Sequence, residues 1–227
     1  MQNCTTDRCT IETPTAFRRF LGAALVVGII GTAFAFNGAQ AGEANDDDGH
    51  HNHAEHHHAA AEHKVTRSVA NYTLPDISLM RVNRSLANIR QEIDDGRPVV
   101  LNFVYTTCTA VCPMTSQTLA AFQAKLGADA AGIHVVSISI DPEHDTPERL
   151  AQYQVRYRAG PQWNFLTGTL ENSIKMQKAF DTFFVDKMNH RPITYLRVAP
   201  GKAWVRLEGF ASPDDLLQEY RALSSAG

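Results

Sequence analysis

In the stretch VYTTCTAVCPMT, residues 104–115, Cys108 and Cys112 stand four positions apart, directly after an apolar run and directly before Pro113. Thiolates, not thiols, attack disulfides and ligate metals, so the pair points to redox or metal chemistry. A C-x-x-C pair exchanges readily between dithiol and disulfide. The wider C-x-x-x-C spacing can also close a disulfide, because residues four apart in a turn lie within ~6–7 Å. The extra residue equally lets the sulfurs open around an ion. Two soft thiolates and one imidazole suit a d-block metal with an affinity for sulfur, above all Cu(I), with Zn(II) as competitor.

The third donor must come from His134, His144 or His190, the histidines of the region that carries the pair. His134 lies within a buried strand pattern and reads as a packed core residue. His144 sits in the loop DPEHDTP at the same sheet edge as the cysteines. His190, in DKMNHRPITYL, closes the loop before a strand expected beside the cysteine strand, and is the residue chosen. Met114 and Met188 are soft enough for Cu(I), but methionines commonly fill packing gaps, and neither is assigned a role.

The elements that must position these groups follow from periodicity. VVLNFVY (99–105) reads as a strand buried on both faces, and Pro113 opens a helix running to Lys125 with Leu119, Phe122 and Leu126 on one side. IHVVSISI (133–140) is a second buried strand. Asp145 or Thr146 caps the helix that Pro147 opens and Gly160 ends, and WNFLTG (163–168) is a third strand. A helix over 171–184, a hairpin of ITYLRVAP and KAWVRLEGF, and a last helix capped by Ser212 complete the order β-α-β-α-β-α-β-β-α. That order predicts an α/β layer fold with a mixed central sheet, parallel at first and ended by a β-hairpin, flanked by helices. A strand running through two cysteines into a helix places the thiols at the carboxyl edge of the sheet, where such folds bind ligands and where a helix N-terminus favours a thiolate.

The chain has 227 residues, a formal net charge of −3 and 44% hydrophobic residues, which fits one globular domain with an extension. The near-neutral balance, without Lys/Arg clusters, argues against a nucleic-acid partner. Residues 1–42 read as a cytosolic tail and a membrane segment. Arg18 and Arg19 precede the uncharged stretch Leu21–Phe36, which as a helix would span roughly 25 Å, and acids follow it. That asymmetry orients the N-terminus inside and the remainder in the extracytoplasmic space, as a single-pass protein of the cytoplasmic membrane. Ala39-Gln40-Ala41 also fits a signal-peptidase site, which would release the domain into the periplasm. Cys4 and Cys9 precede this segment and read as unremarkable thiols.

Residues 43–68 read as a disordered His/Asp-rich tether holding His50, His51, His53, His56, His57, His58 and His63. Such imidazole and carboxylate clusters collect Cu(II), Zn(II) or Ni(II) at modest affinity. The domain proper is expected over 69–227.

From about Asn71 onward the sequence resembles the Sco/SenC family of copper chaperones. The carrying segments are VLNFVYTTCTAVCPMTS (100–116), SIDPEHDTPERL (139–150) and HRPITYLRVAPGK (190–202). The resemblance implies a thioredoxin-like fold, copper held by Cys108, Cys112 and His190, and delivery outside the cytoplasm to the dinuclear copper centre of a cytochrome oxidase subunit II-type protein. Some members of the family instead keep the target's cysteines reduced. Two features depart from the pattern. Thr109 and Ala110 stand where members often carry Pro and Asp, and Pro192 resembles the cis-proline that faces the cysteines in thioredoxins, although a proline simply starting a strand is the plainer reading. Metal delivery without chemical turnover is therefore the leading expectation. Thiol–disulfide exchange, with Cys108 attacking and Cys112 resolving, is the alternative.

Overall fold

The computed structural model describes residues 65–225. At its centre lies β4 (Val99–Val104), all six of whose residues are buried, as expected for a β-branched and apolar strand covered on both faces. It pairs in parallel with β5 (His134–Ser139), which pairs in parallel with β6 (Trp163–Thr167). On the other side β7 (Ile193–Arg197) runs antiparallel to β4 and forms a hairpin with β8 (Trp204–Glu208). The hairpin and the mixed sheet are those read from the sequence.

Three strands and one helix were not legible there. β1 (Thr66–Ala70) adds antiparallel to β8, while β2 (Ser78–Arg81) and β3 (Leu86–Asn88) extend the far edge beside β6, giving the order β1-β8-β7-β4-β5-β6-β2-β3. β1 begins three residues inside the expected tether. Its side chains are almost all exposed, so no alternation betrays it. The backbone ladder to β8 holds it, helped by a bidentate ion pair from Arg67 to Glu219. Helix α1 (Ile89–Ile93) follows β3, with the Asn88 side chain accepting the N–H groups of Arg90 and Gln91 as cap.

The remaining helices are α2 (Val111–Leu126), α3 (Pro147–Arg156), α4 (Leu170–Ala179) and α5 (Pro213–Ser225). Apolar residues of α2, α3 and α5, among them Phe122, Tyr153 and Leu216, form one core with Val100, Leu196 and Val205. Ile89, Ile93, Met176 and Phe180 form the other with Leu101, Phe103, Tyr195 and Trp204. Thr146, not Asp145, caps α3 by accepting the Arg149 N–H. Helix α4 stops at Ala179, short of the expected Phe184. Phe180 leaves the helix to pack edge-on against Tyr195 and Trp204, its carbonyl accepts the Tyr195 hydroxyl at 2.8 Å, and Asp181 takes a positive φ of 50°. Burying such an aromatic contributes roughly 1.5–3 kcal/mol, more than another helical turn would.

Among the described residues no peptide bond is cis, so the Arg191–Pro192 bond is trans and Pro192 simply precedes β7. Among the same residues no helix is long and apolar enough to cross a membrane. The segment Leu21–Phe36, its alternative cleavage site, Cys4 and Cys9, and all seven tether histidines lie outside the described residues.

Candidate metal centre

Three segments meet at the carboxyl edge of β4 and β5: the loop 105–110, the loop 140–146, and the segment 186–190 that leads into β7. Helix α2 begins two residues earlier than Pro113 suggested, so Cys112 lies in its first turn and Cys108 just outside it. The Cys112 N–H donates to the Cys108 sulfur at 3.3 Å. Half-burial raises the Cys108 thiol, but the N–H groups of Cys112 and Ala110, with contacts from the Cys112 and Tyr105 side chains, outweigh it and hold the thiol below its ordinary range. This is the anion-stabilising effect of a helix N-terminus. Cys112 is fully buried. Desolvation, together with the Cys108 sulfur beside it, pushes its thiol far up despite a hydrogen bond from the Tyr105 backbone. The two cysteines are free and chemically unequal.

A buried carboxylate fixes the loop. Asp145 is fully buried and accepts the Thr106 N–H at 3.0 Å, the Thr106 hydroxyl at 2.5 Å and the Ser139 hydroxyl at 2.6 Å. It therefore clamps the chain two residues before Cys108 to the end of β5. The sequence offered Asp145 only as a helix cap, and no local spacing signals the longer reach.

His190 lies buried beside the site, with its ring edge-on to Tyr105 at a centroid distance of 6.4 Å. Its Nε2 lies 3.1 Å from the Phe103 carbonyl, which can only accept, so the proton is on Nε2. Burial lowers its pKa, keeping the ring neutral. Nδ1 then carries a lone pair that is buried and without a hydrogen-bond partner. A neutral imidazole with one nitrogen pinned to a carbonyl and the other lone pair free is the form that ligates metals. The segment carrying it is anchored by Lys187, whose Nζ meets Asp141 at 2.5 Å and lies 5.6 Å from the Tyr105 ring centre.

Of the expected ligands, then, the fold brings Cys108 and Cys112 into contact and sets His190 edge-on to Tyr105, whose ring packs in the same core cluster as both cysteines. Among the described residues no three His, Cys, Asp or Glu groups converge as a ready metal cluster. The other two histidines take the places read for them or near them. His134 is buried at the start of β5, near Glu92 and Asp95 at 3.3 Å, and His144 is exposed, with Nδ1 3.2 Å from Asp141.

A mixed sheet between helices, with paired cysteines at the strand-to-helix junction, defines a thioredoxin-like protein. The sequence model of the SCO1/SenC family matches residues 80–224, and the chain belongs to that family. It is 26% identical over 153 residues to the SCO1 protein homolog of Bacillus subtilis strain 168, covering 63% of this chain and 79% of that one. Two solved structures share the fold. BsSco, a member of the Sco family of cytochrome c oxidase assembly proteins in which a disulfide switch was identified, superposes with a TM-score of 0.58 at 22% identity, covering 70% of this chain and 98% of that one. Arabidopsis thaliana ScoI with copper bound gives 0.58 at 20% identity, covering 70% and 100%.

Proposed function

We propose that this protein is a copper carrier of cytochrome oxidase assembly, holding the ion on Cys108, Cys112 and His190 and passing it on by ligand exchange. One observation carries the reading. A thiolate-prone Cys108 touches a second sulfur, and on the neighbouring strand edge a neutral imidazole has a buried lone pair with nothing to accept. These donors fit copper as cargo: two soft sulfurs select a soft ion, and the imidazole accommodates either oxidation state. Closing the set requires side-chain movement that brings the unpartnered Nδ1 to the sulfurs. The recipient is a cytochrome oxidase subunit II-type protein with a dinuclear copper site. The domain works outside the cytoplasm, on a single-pass anchor at Leu21–Phe36 or released from it, and the tether histidines collect divalent ions at modest affinity.

The test is a titration of the reduced, anaerobic protein with Cu(I) against a competing chelator. One tight copper per chain is expected, lost in Cys108→Ser or Cys112→Ser and weakened in His190→Ala. Deleting residues 43–63 is expected to remove loosely held Cu(II) and leave that site intact, and equal copper counts with and without them would end the tether's role. The unequal cysteines favour a second reading, thiol–disulfide exchange in which Cys108 attacks and Cys112 resolves. Weak copper binding together with rapid reduction of a disulfide substrate would put that reading in place of the first.

A further inference from the structure

Met188 is 71% exposed, so it fills no gap in the core. Its thioether is therefore accessible, and a thioether is a soft donor suited to Cu(I). Its sulfur is not free to wander. The Tyr105 hydroxyl donates to Sδ at 3.7 Å, and the Met188 N–H is held by the Asp186 carboxylate at 2.9 Å. The ring of Tyr105 lies in the core cluster against which Cys108 packs, so the residue that holds the thioether also neighbours the thiol. Tyr105 packs in one core cluster with Cys112 and with the half-buried Cys108, so the thioether on its hydroxyl and the two thiols share one side chain as neighbour, while the His190 ring is turned onto the Phe103 carbonyl.

Resting on the copper-carrier reading, we infer that Met188 is a ligand of Cu(I) at this site, completing a three-sulfur set with Cys108 and Cys112 when the Tyr105 hydroxyl withdraws. Met188 and His190 lie two residues apart on one segment that Lys187 anchors to Asp141, so both can serve one ion from the same side. The thioether suits Cu(I) and the imidazole also suits Cu(II), and Met188 thereby binds one oxidation state in preference to the other. The balance is simple. Each cysteine that becomes a ligand gives its proton to solvent, the thioether has none to lose, and no electron moves. Met114, at 45% exposure in the first turns of α2, has no such tie to Tyr105 and serves as the control.

The experiment compares the whole protein with Met188→Leu and Met114→Leu, both exposed sites where leucine keeps the volume. Cu(I) affinity is read by chelator competition and the sulfur count by copper X-ray absorption. Met188→Leu is expected to lose Cu(I) affinity by about tenfold or more, at least what loss of a supporting group costs a metal site. Its sulfur count should fall from three to two, with Cu(II) affinity kept, and Met114→Leu should match the parent. Unchanged Cu(I) affinity and sulfur count in Met188→Leu, or an equal loss in Met114→Leu, would overturn the inference and leave the carrier reading standing. A parent protein that binds no Cu(I) tightly would overturn both.

Discussion

Replacing Asp145 with alanine tests whether one buried carboxylate sets the geometry of the cysteine loop. Three hydrogen bonds converge on it, from the Thr106 N–H, the Thr106 hydroxyl and the Ser139 hydroxyl. Hydrogen bonds to a charged group contribute about 1.5–3 kcal/mol each. Against their sum stands the relief of no longer burying an ion, several kcal/mol. The net expectation for Asp145→Ala is a loss of about 3–5 kcal/mol, because three buried donors are left without their acceptor. For a domain of this size that lowers Tm by on the order of 10 °C. Ser139→Ala removes one bond to the same carboxylate together with the acceptor of the Asp141 N–H, leaves both bonds from Thr106 in place, and should cost about 2–3 kcal/mol. Urea unfolding gives the energies, and mass spectrometry after brief alkylation of the native protein reads Cys108, which should label faster once Thr106 is released. Asp145→Ala within 1 kcal/mol of the parent, with labelling unchanged, would refute the clamp.

Further outcomes follow from the charges. Burial pushes the Glu92 carboxyl up, but hydrogen bonds from His134, Arg81 and Asn164 overcome it and bring its pKa from 4.5 to about 2. A lowered carboxyl pKa contributes stability that is complete above about pH 4.5 and is lost as pH falls through about 2, worth at most about 3 kcal/mol. Urea melts across that window should show the loss in the parent and a flatter acid limb in Glu92→Gln. Cys108, with its lowered thiol, should be alkylated first, its rate rising at a pH below that of an ordinary cysteine, whereas Cys112 should label only in denaturant. Equal labelling of both in the native protein would contradict the difference in their burial.

The cysteine loop was legible because its placement follows from chain order: an apolar strand, two thiols and a proline-bearing helix can only meet at a sheet edge. His190 was legible in the same way, since an antiparallel strand beside β4 must begin where β4 ends. The direction of its ring was not. It depends on the Phe103 carbonyl, 87 residues earlier in the chain. Asp145 reaches back 39 residues to Thr106, and Tyr105 reaches forward 83 to Met188, pairings set by packing and invisible to spacing. The outer strands failed for the opposite reason. β1 presents mostly exposed side chains and β3 is three residues long, so neither carries the apolar alternation by which strands are read.

What lies across from the sulfurs separates carriage from disulfide exchange. Both need the depressed thiol of Cys108 at the mouth of α2, so that feature alone decides nothing. Disulfide exchange further needs an open face where a partner's chain can bring its sulfur in line with Cys108. The segment 186–190 lies against Tyr105, three residues before Cys108, anchored by the Lys187–Asp141 ion pair, with the Met188 sulfur on the Tyr105 hydroxyl and the His190 ring edge-on to Tyr105. An incoming disulfide chain that reaches Cys108 past Tyr105 would have to displace this segment. An ion needs only side chains, those of Tyr105 and His190 among them, to move so that its donors gather. Re-orienting a few side chains costs less ordering than displacing a backbone segment. Severing the anchor therefore discriminates. Lys187→Ala should weaken copper binding and speed disulfide reduction together, since it frees the same segment for both. A variant that lost copper without gaining reductase rate would show that the segment never stood in the way.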